Sequence, residues 1–240
     1  MKHISIPSQE NKTKKKFAAF DIDGTIFRSS LFVELLDSMV CKNILSPQTK
    51  HLYQEKLKLW KSRRISYEDY IKSLIDYFHN NIKGVFYGDF ADTAKEVVKN
   101  KNTYTYTYTT NLLETLKDKG YFLVAISHSP KTILDLFCPQ MGFDKIYGMV
   151  FEIDDKDLFT GKIADKFMIF NKANIIHRVV EQNDLTMEGS VAVGDTETDI
   201  PMLEMVETPI CFNPNKKLYQ RAKSGQWKIV VERKDVIYHI

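Results

Sequence analysis

The stretch Phe17–Phe27, FAAFDIDGTIF, sets two aspartates two residues apart at the end of an apolar run. Carboxylates at that spacing repel each other, and a turn after a strand is satisfied by many other polar residues. From Lys16 to Ile22 the sequence reads as a buried strand, because the apolar residues do not alternate with polar ones. The acids therefore stand where a strand hands over to its loop, which in open parallel sheets is where ligands bind. A calcium loop beginning at Asp21 is excluded, since its sixth and twelfth positions need glycine and glutamate and are Ile26 and Phe32.

Beyond this stretch the period changes. Leu31, Phe32, Leu35, Leu36, Met39 and Val40 fall on one face of a helix. Further helices are expected through Leu52–Trp60, from about Ser66 to a stop near Asn80–Gly84, and over FADTAKEVVKN (90–100), so residues from about 29 to 103 read as all-helical. TYTYTYTT (103–110) reads as a connector, because both of its alternating sets are amphipathic and neither marks a core face. Asn111 and Glu114, at capping-box spacing, then place a helix start that runs to a stop before Gly120.

From residue 121 strands and helices alternate. YFLVAIS (121–127) reads as a strand, KTILDLF (131–137) as a helix and MVFEIDDKDLFTGKI (149–163) as a hairpin. NKANIIHRVVEQN (171–183) is a helix, SVAVGDT (190–196) a strand and IPMLEMV (200–206) a helix, with short strands at TPICF (208–212) and WKIVV (227–231). Such alternation predicts a mostly parallel sheet covered on both faces, an α/β core with a helical insertion after its first strand.

Composition narrows the function. Of 240 residues 43% are hydrophobic, and of the formal charge of +3 the first 16 residues carry +4, leaving −1 for the rest. A near-neutral body gives no electrostatic footprint for nucleic acid. No window approaches the ~18 consecutive apolar residues that span a membrane, and the N-terminus lacks the apolar segment of a secretory signal. Cys41, Cys138 and Cys211 are far apart and unpaired in spacing, which argues against a disulfide framework or a zinc site and fits a cytoplasmic protein.

Three apolar strands end in chemistry: Asp21 and Asp23; Ser127, His128 and Ser129; Gly194 and Asp195, with Asp199 close behind. If these strands are neighbours, four carboxylates meet at one rim. Such a cluster calls for a hard, oxygen-liking cation such as Mg²⁺. Hydroxyl and lysine groups beside it suit an anionic guest, and a phosphate ester on Mg²⁺ meets both conditions.

DIDGT (21–25), LVAIS (123–127), a helical lysine and GDTETDIPML (194–203) resemble the four motifs of the haloacid dehalogenase-like phosphatase superfamily, and the inserted helices resemble the cap of its phosphoserine-phosphatase-like subfamily, IB. The resemblance implies a Rossmann-like three-layer core (17–28 and 104–240), a helical cap (29–103) and a flexible basic tail (1–16). It implies a Mg²⁺-dependent phosphomonoester hydrolase acting through an aspartyl-phosphate on a small phosphorylated metabolite. Asp21 would be the nucleophile and Asp23 the acid and base. Mg²⁺ would lie between the Asp21 carboxylate, the Asp23 backbone carbonyl and Asp195, supported by Asp199. Ser127 and amides near His128 would bind the phosphoryl group, and Gly24 would let the backbone approach it. Lys172 would balance the charge, with Lys166 as its rival; its loss is expected to cost catalysis with little effect on folding.

His128 departs from the small residues that usually follow the serine, and is a candidate substrate contact together with Arg28. Arg63, Arg64 and Tyr67 are further cap candidates. A phosphoserine phosphatase, a phosphotransferase of the same superfamily and a non-enzymatic binding module are the alternatives. The module is disfavoured because all four carboxylates are present, and a dehalogenase needs neither Asp23 nor a metal. Where phosphoserine phosphatases carry an amine-binding glutamate this chain has Ser30, with Arg28 nearby and Glu34 one turn on. Phosphoserine is therefore expected to be a poor substrate. Oligomeric state leaves no trace in the sequence.

Overall fold

The strands, in chain order, are β1 (Lys15–Phe20), β2 (Phe122–Pro130), β3 (Lys145–Ile153), β4 (Phe159–Ala164), β5 (Leu185–Gly194), β6 (Thr208–Phe212), β7 (Lys228–Arg233) and β8 (Val236–His239). They form one sheet in the order β4-β3-β2-β1-β5-β6-β7-β8 in a computed structural model that describes residues 14–46, 50–164 and 171–240, the side chains of 50–53 excepted. Lys166 and most of the basic tail lie outside the described residues. The strands from β3 across to β7 are parallel, and only the edge strands β4 and β8 run antiparallel.

β1 shows why this sheet is central. Ala18 and Phe20 join the apolar cluster on one face, Phe17 and Ala19 the cluster on the other, and all four are fully buried. A strand covered on both faces has no polar side, which is what the unbroken apolar run announces. β1 also takes in Lys15 and Lys16, which pair with Leu185 and Thr186, so the sheet reaches into the segment assigned to the tail.

Four helices follow β1: α1 (Leu31–Cys41), α2 (Lys50–Lys61), α3 (Tyr67–Asn81) and α4 (Tyr87–Lys101). Ser30 caps α1 by accepting from Val33 N, and Ser66 opens α3 with a capping box to Asp69. α1 buries the predicted stripe from Leu31 to Val40. These helices share one apolar cluster with the sheet face that carries Phe20 and Val193. The chain leaves and rejoins the core through paired backbone: Arg28 N donates to Tyr104 O (3.0 Å) and Tyr106 N to Ile26 O (2.9 Å).

α5 (Thr107–Asp118) begins four residues before the expected start at Asn111 and absorbs half of the TYTYTYTT segment. Its cap comes from far away in sequence: the Glu232 carboxylate on β7 accepts from Thr107 N (3.2 Å) and Tyr108 N (2.8 Å). Tyr106 and Tyr108 pack on Phe212, and Thr109 Oγ1 donates to Thr25 O (2.7 Å). Tertiary contacts outweigh the extended preference of the Thr/Tyr alternation.

The remaining α-helices among the described residues are α6 (Lys131–Phe137), α7 (Lys172–Gln182), α8 (Ile200–Leu203) and α9 (Lys216–Gly225). α6 covers the face shared with α1–α5, whereas α7, α8 and α9 cover the other. Strand order reverses beside β1, with β2 and β3 to one side and β5, β6 and β7 to the other. The carboxyl ends of β1, β2 and β5 therefore surround one crevice.

Candidate active site

Asp21 follows β1 directly, fixed by its amide donating to Val193 O (2.9 Å), and the residue is 5% exposed. One oxygen, Oδ1, accepts from Lys172 Nζ at 2.6 Å. The other, Oδ2, is buried without a hydrogen-bond partner among the described residues. Lys172, in the first turn of α7, reaches the rim from the opposite layer and also donates to Asp199 Oδ1 (2.5 Å) and Ile126 O (3.2 Å). Burial works to lower its pKa, but Asp199 and Asp21 outweigh burial and keep the ammonium charged.

Asp199 ends a 3-10 turn (Glu197–Asp199) after β5. Its second oxygen accepts from Asp195 N and Thr196 N, both at 3.0 Å. Asp199 thus orients both Lys172 and the loop that carries Asp195. Carboxylate oxygens of Asp21, Asp195 and Asp199 lie within 4.8 Å of one another. Burial pushes Asp21 up to about 8, Lys172 pulling it down while Asp199 and Asp23 push further up. Burial and the Asp21 and Asp199 carboxylates raise Asp195 well above the usual carboxylate range. This electrostatic frustration, together with the orphaned Asp21 oxygen and an all-oxygen donor set, fits a hard divalent cation.

The Asp23 carboxylate stands outside that group. Its Oδ1 accepts from Leu31 N (2.5 Å), at the start of α1, and its Oδ2 from the hydroxyls of Ser127 and Ser129, the latter at 2.7 Å. Ser127 Oγ in turn accepts from Ser129 N (2.8 Å), and Ser129 Oγ from Phe32 N (3.1 Å). Ser127 is fully buried and its hydroxyl is directed to Asp23, not presented to the cavity as expected of a phosphoryl donor. Ser129 reaches both the cavity and the carboxylate; sequence reading grouped it with the strand end but assigned it no role. Its only signal was the repeated serine two residues on.

Gly24 has φ +85°, and a Cβ there would overlap the Asp195 carboxylate. The space it leaves is thus filled by an acid of the rim. Asp21, Asp23, Ser129, His128 and Asp195 line a cavity of about 440 Å³. Tyr67 lines it too; burial and the Asp195 and Asp23 carboxylates hold its hydroxyl well above the usual phenol range. Arg28 is not brought there. Its guanidinium donates to Glu232 (2.7 Å) and Thr105 O (2.8 Å) beside the Tyr106 ring. Arg63 and Arg64 are exposed outside the lining, and Glu34 pairs with Lys101 at 3.5 Å.

No helix of the described residues is long and apolar enough to cross a membrane. Similarity to known proteins runs the length of the chain. A phosphoserine phosphatase of Methanocaldococcus jannaschii is 23% identical over 227 residues, covering 93% of this chain and 95% of that protein. One of Archaeoglobus fulgidus is 23% identical over 216 residues, covering 85% of this chain and 54% of that protein. The chain thus spans about half the length of several curated relatives, from 40% to 54%. A solved structure described as a phospho-aspartyl intermediate analogue of phosphoserine phosphatase shares the fold, with a TM-score of 0.65, 19% identity and coverage of 93% of this chain and 96% of that one. The haloacid dehalogenase-like hydrolase family matches residues 18–204, from within β1 to just past α8, and the chain belongs to that family.

Proposed function

We propose that the protein is a Mg²⁺-dependent phosphomonoester hydrolase that works through an aspartyl-phosphate on Asp21, with the helices of 29–103 as a cap over the rim. The observation that carries this reading is the state of the Asp21 carboxylate. One oxygen is fixed by Lys172 and the other is buried without a hydrogen-bond partner among the described residues, in a residue that lines the cavity. A carboxylate made only to balance charge would have both oxygens satisfied.

Asp21 and Asp195 would hold the cation, with the Asp23 carbonyl beside them and Asp199 orienting the loop. The ion would neutralise charge on the phosphoryl oxygens. Asp21 attacks phosphorus, the ester P–O bond breaks, and Asp23 delivers its proton to the departing oxygen. Asp23 then takes a proton from water as the water oxygen attacks the aspartyl-phosphate, releasing phosphate and restoring Asp21. Lys172 holds the Asp21 carboxylate in place throughout and balances its charge. Leu31 N, Ser127 and Ser129 fix Asp23 where it reaches the leaving oxygen.

Asp21→Asn replaces an anionic nucleophile by a neutral amide of the same shape. Turnover of phosphomonoesters should fall at least about a thousandfold, roughly 4 kcal/mol. The acid-stable acyl-phosphate trapped on the wild-type protein by quenching should vanish. Retention of more than a few per cent activity, with deamidation ruled out by mass, would sink the covalent route.

A further inference from the structure

Away from the carboxylates the cavity changes character. One wall is α3, whose Tyr67, Ile71 and Ile75 recur every four residues and so form one stripe along the helix. Phe32, in the first turn of α1, lines the same space. The stripe spans about 12 Å of helix rise. Its aromatic members are held by their neighbours: the Tyr67 ring centre is 5.1 Å from that of Trp60, and Phe32 meets Phe78 edge-on at 5.3 Å. Ile71 and Ile75 are only half-buried, so the wall keeps apolar surface in contact with water at the edge of a polar rim. Covering such surface with an apolar group is favourable in proportion to its area.

The charged groups of the cavity are ill suited to a zwitterion. Glu68 and Glu197 are both paired with Lys217, at 2.6 and 3.0 Å, and the Glu197 carboxylate also accepts from Asn215. Ser30 is used as the cap of α1. Lys72 stands exposed to solvent, where a hydrated ammonium is at home. An ammonium seated against Ile71 and Ile75 would lose water without gaining a partner.

We propose that the space between α1 and α3 is a leaving-group subsite for an apolar alcohol. The substrate is then the phosphate monoester of an alkyl or aryl alcohol, in preference to that of an amino acid. This deepens the hydrolase reading above and rests on it.

Calorimetric titration of the Mg²⁺-loaded protein with n-alkylphosphonates from methyl to hexyl tests the subsite without turnover. Each added methylene should tighten Kd about fourfold until the wall is covered. Ile71→Asn should reduce that increment to less than twofold. Butylphosphonate should bind at least tenfold more tightly than the phosphonate isostere of phosphoserine. A wild-type series flat within twofold, no binding by any member, or tighter binding of the phosphoserine isostere overturns the proposal, however the variant folds. Phosphate release from the matching alkyl phosphates is read separately. A rising phosphonate series with no release from any ester removes the hydrolase reading and leaves the apolar subsite standing.

Discussion

Lys172 joins two carboxylates in a place that is almost dry, at 1% exposure. Reading the sequence gives it a catalytic charge alone, but its burial adds a second role. Lys172→Ala leaves Asp21 and Asp199 facing each other without a cation. We expect a loss of about 3 kcal/mol in catalysis and of about 3–5 kcal/mol in folding stability, the latter measured by urea unfolding. Unchanged stability would show that the pocket relaxes or fills with water. Gly24 is equally constrained, since both its positive φ and the nearby Asp195 carboxylate forbid a side chain. Gly24→Ala should cost about 1–3 kcal/mol and weaken Mg²⁺ binding at least tenfold, read by metal titration. The acids were legible because each sits where an apolar strand ends. The partner of Arg28 was not, because Glu232 lies 204 residues away and no local pattern joins them.

At the scale of elements, periodicity found the helices whose cores it describes and failed where an element is finished by something distant. α1 and α3 carry their own caps, and their starts were placed to within a residue or two. α5 has no side-chain cap of its own; Glu232 supplies one from across the sheet and also neutralises Arg28. Removing that carboxylate strips two helix amides and the Arg28 guanidinium of their partner at once. Glu232→Ala should therefore destabilise the protein by about 2–3 kcal/mol, with Glu232→Gln recovering part of the loss by denaturant midpoint. β8 was missed because a short exposed edge strand buries too little to leave a pattern.

For the whole molecule, the alternation of strands and helices was enough to give a parallel sheet, and sheet order then decides which strand ends meet. The metal should be felt globally as well. On the proposed reading, Mg²⁺ at about a hundredfold over its Kd would contribute about 2.7 kcal/mol to the folded state, so Tm should rise by about 5–10 °C over an EDTA-treated sample. A rise under 2 °C at saturating metal would mean that the acidic rim holds no cation worth the name. The paired backbone at 26–28 and 104–106 has a different consequence. Because the chain departs and returns at one closed neck, the ends of the segment stay fixed whatever number of residues lies beyond α1. Closing a flexible loop costs only about 0.6 kcal/mol more each time its length doubles. Provided the first turn of α1 is kept, since its Leu31 and Phe32 amides hold Asp23 and Ser129, the rest of the segment up to Tyr104 can accordingly change in length while Asp21 and Asp195 keep their places, so specificity can be altered without moving the acids.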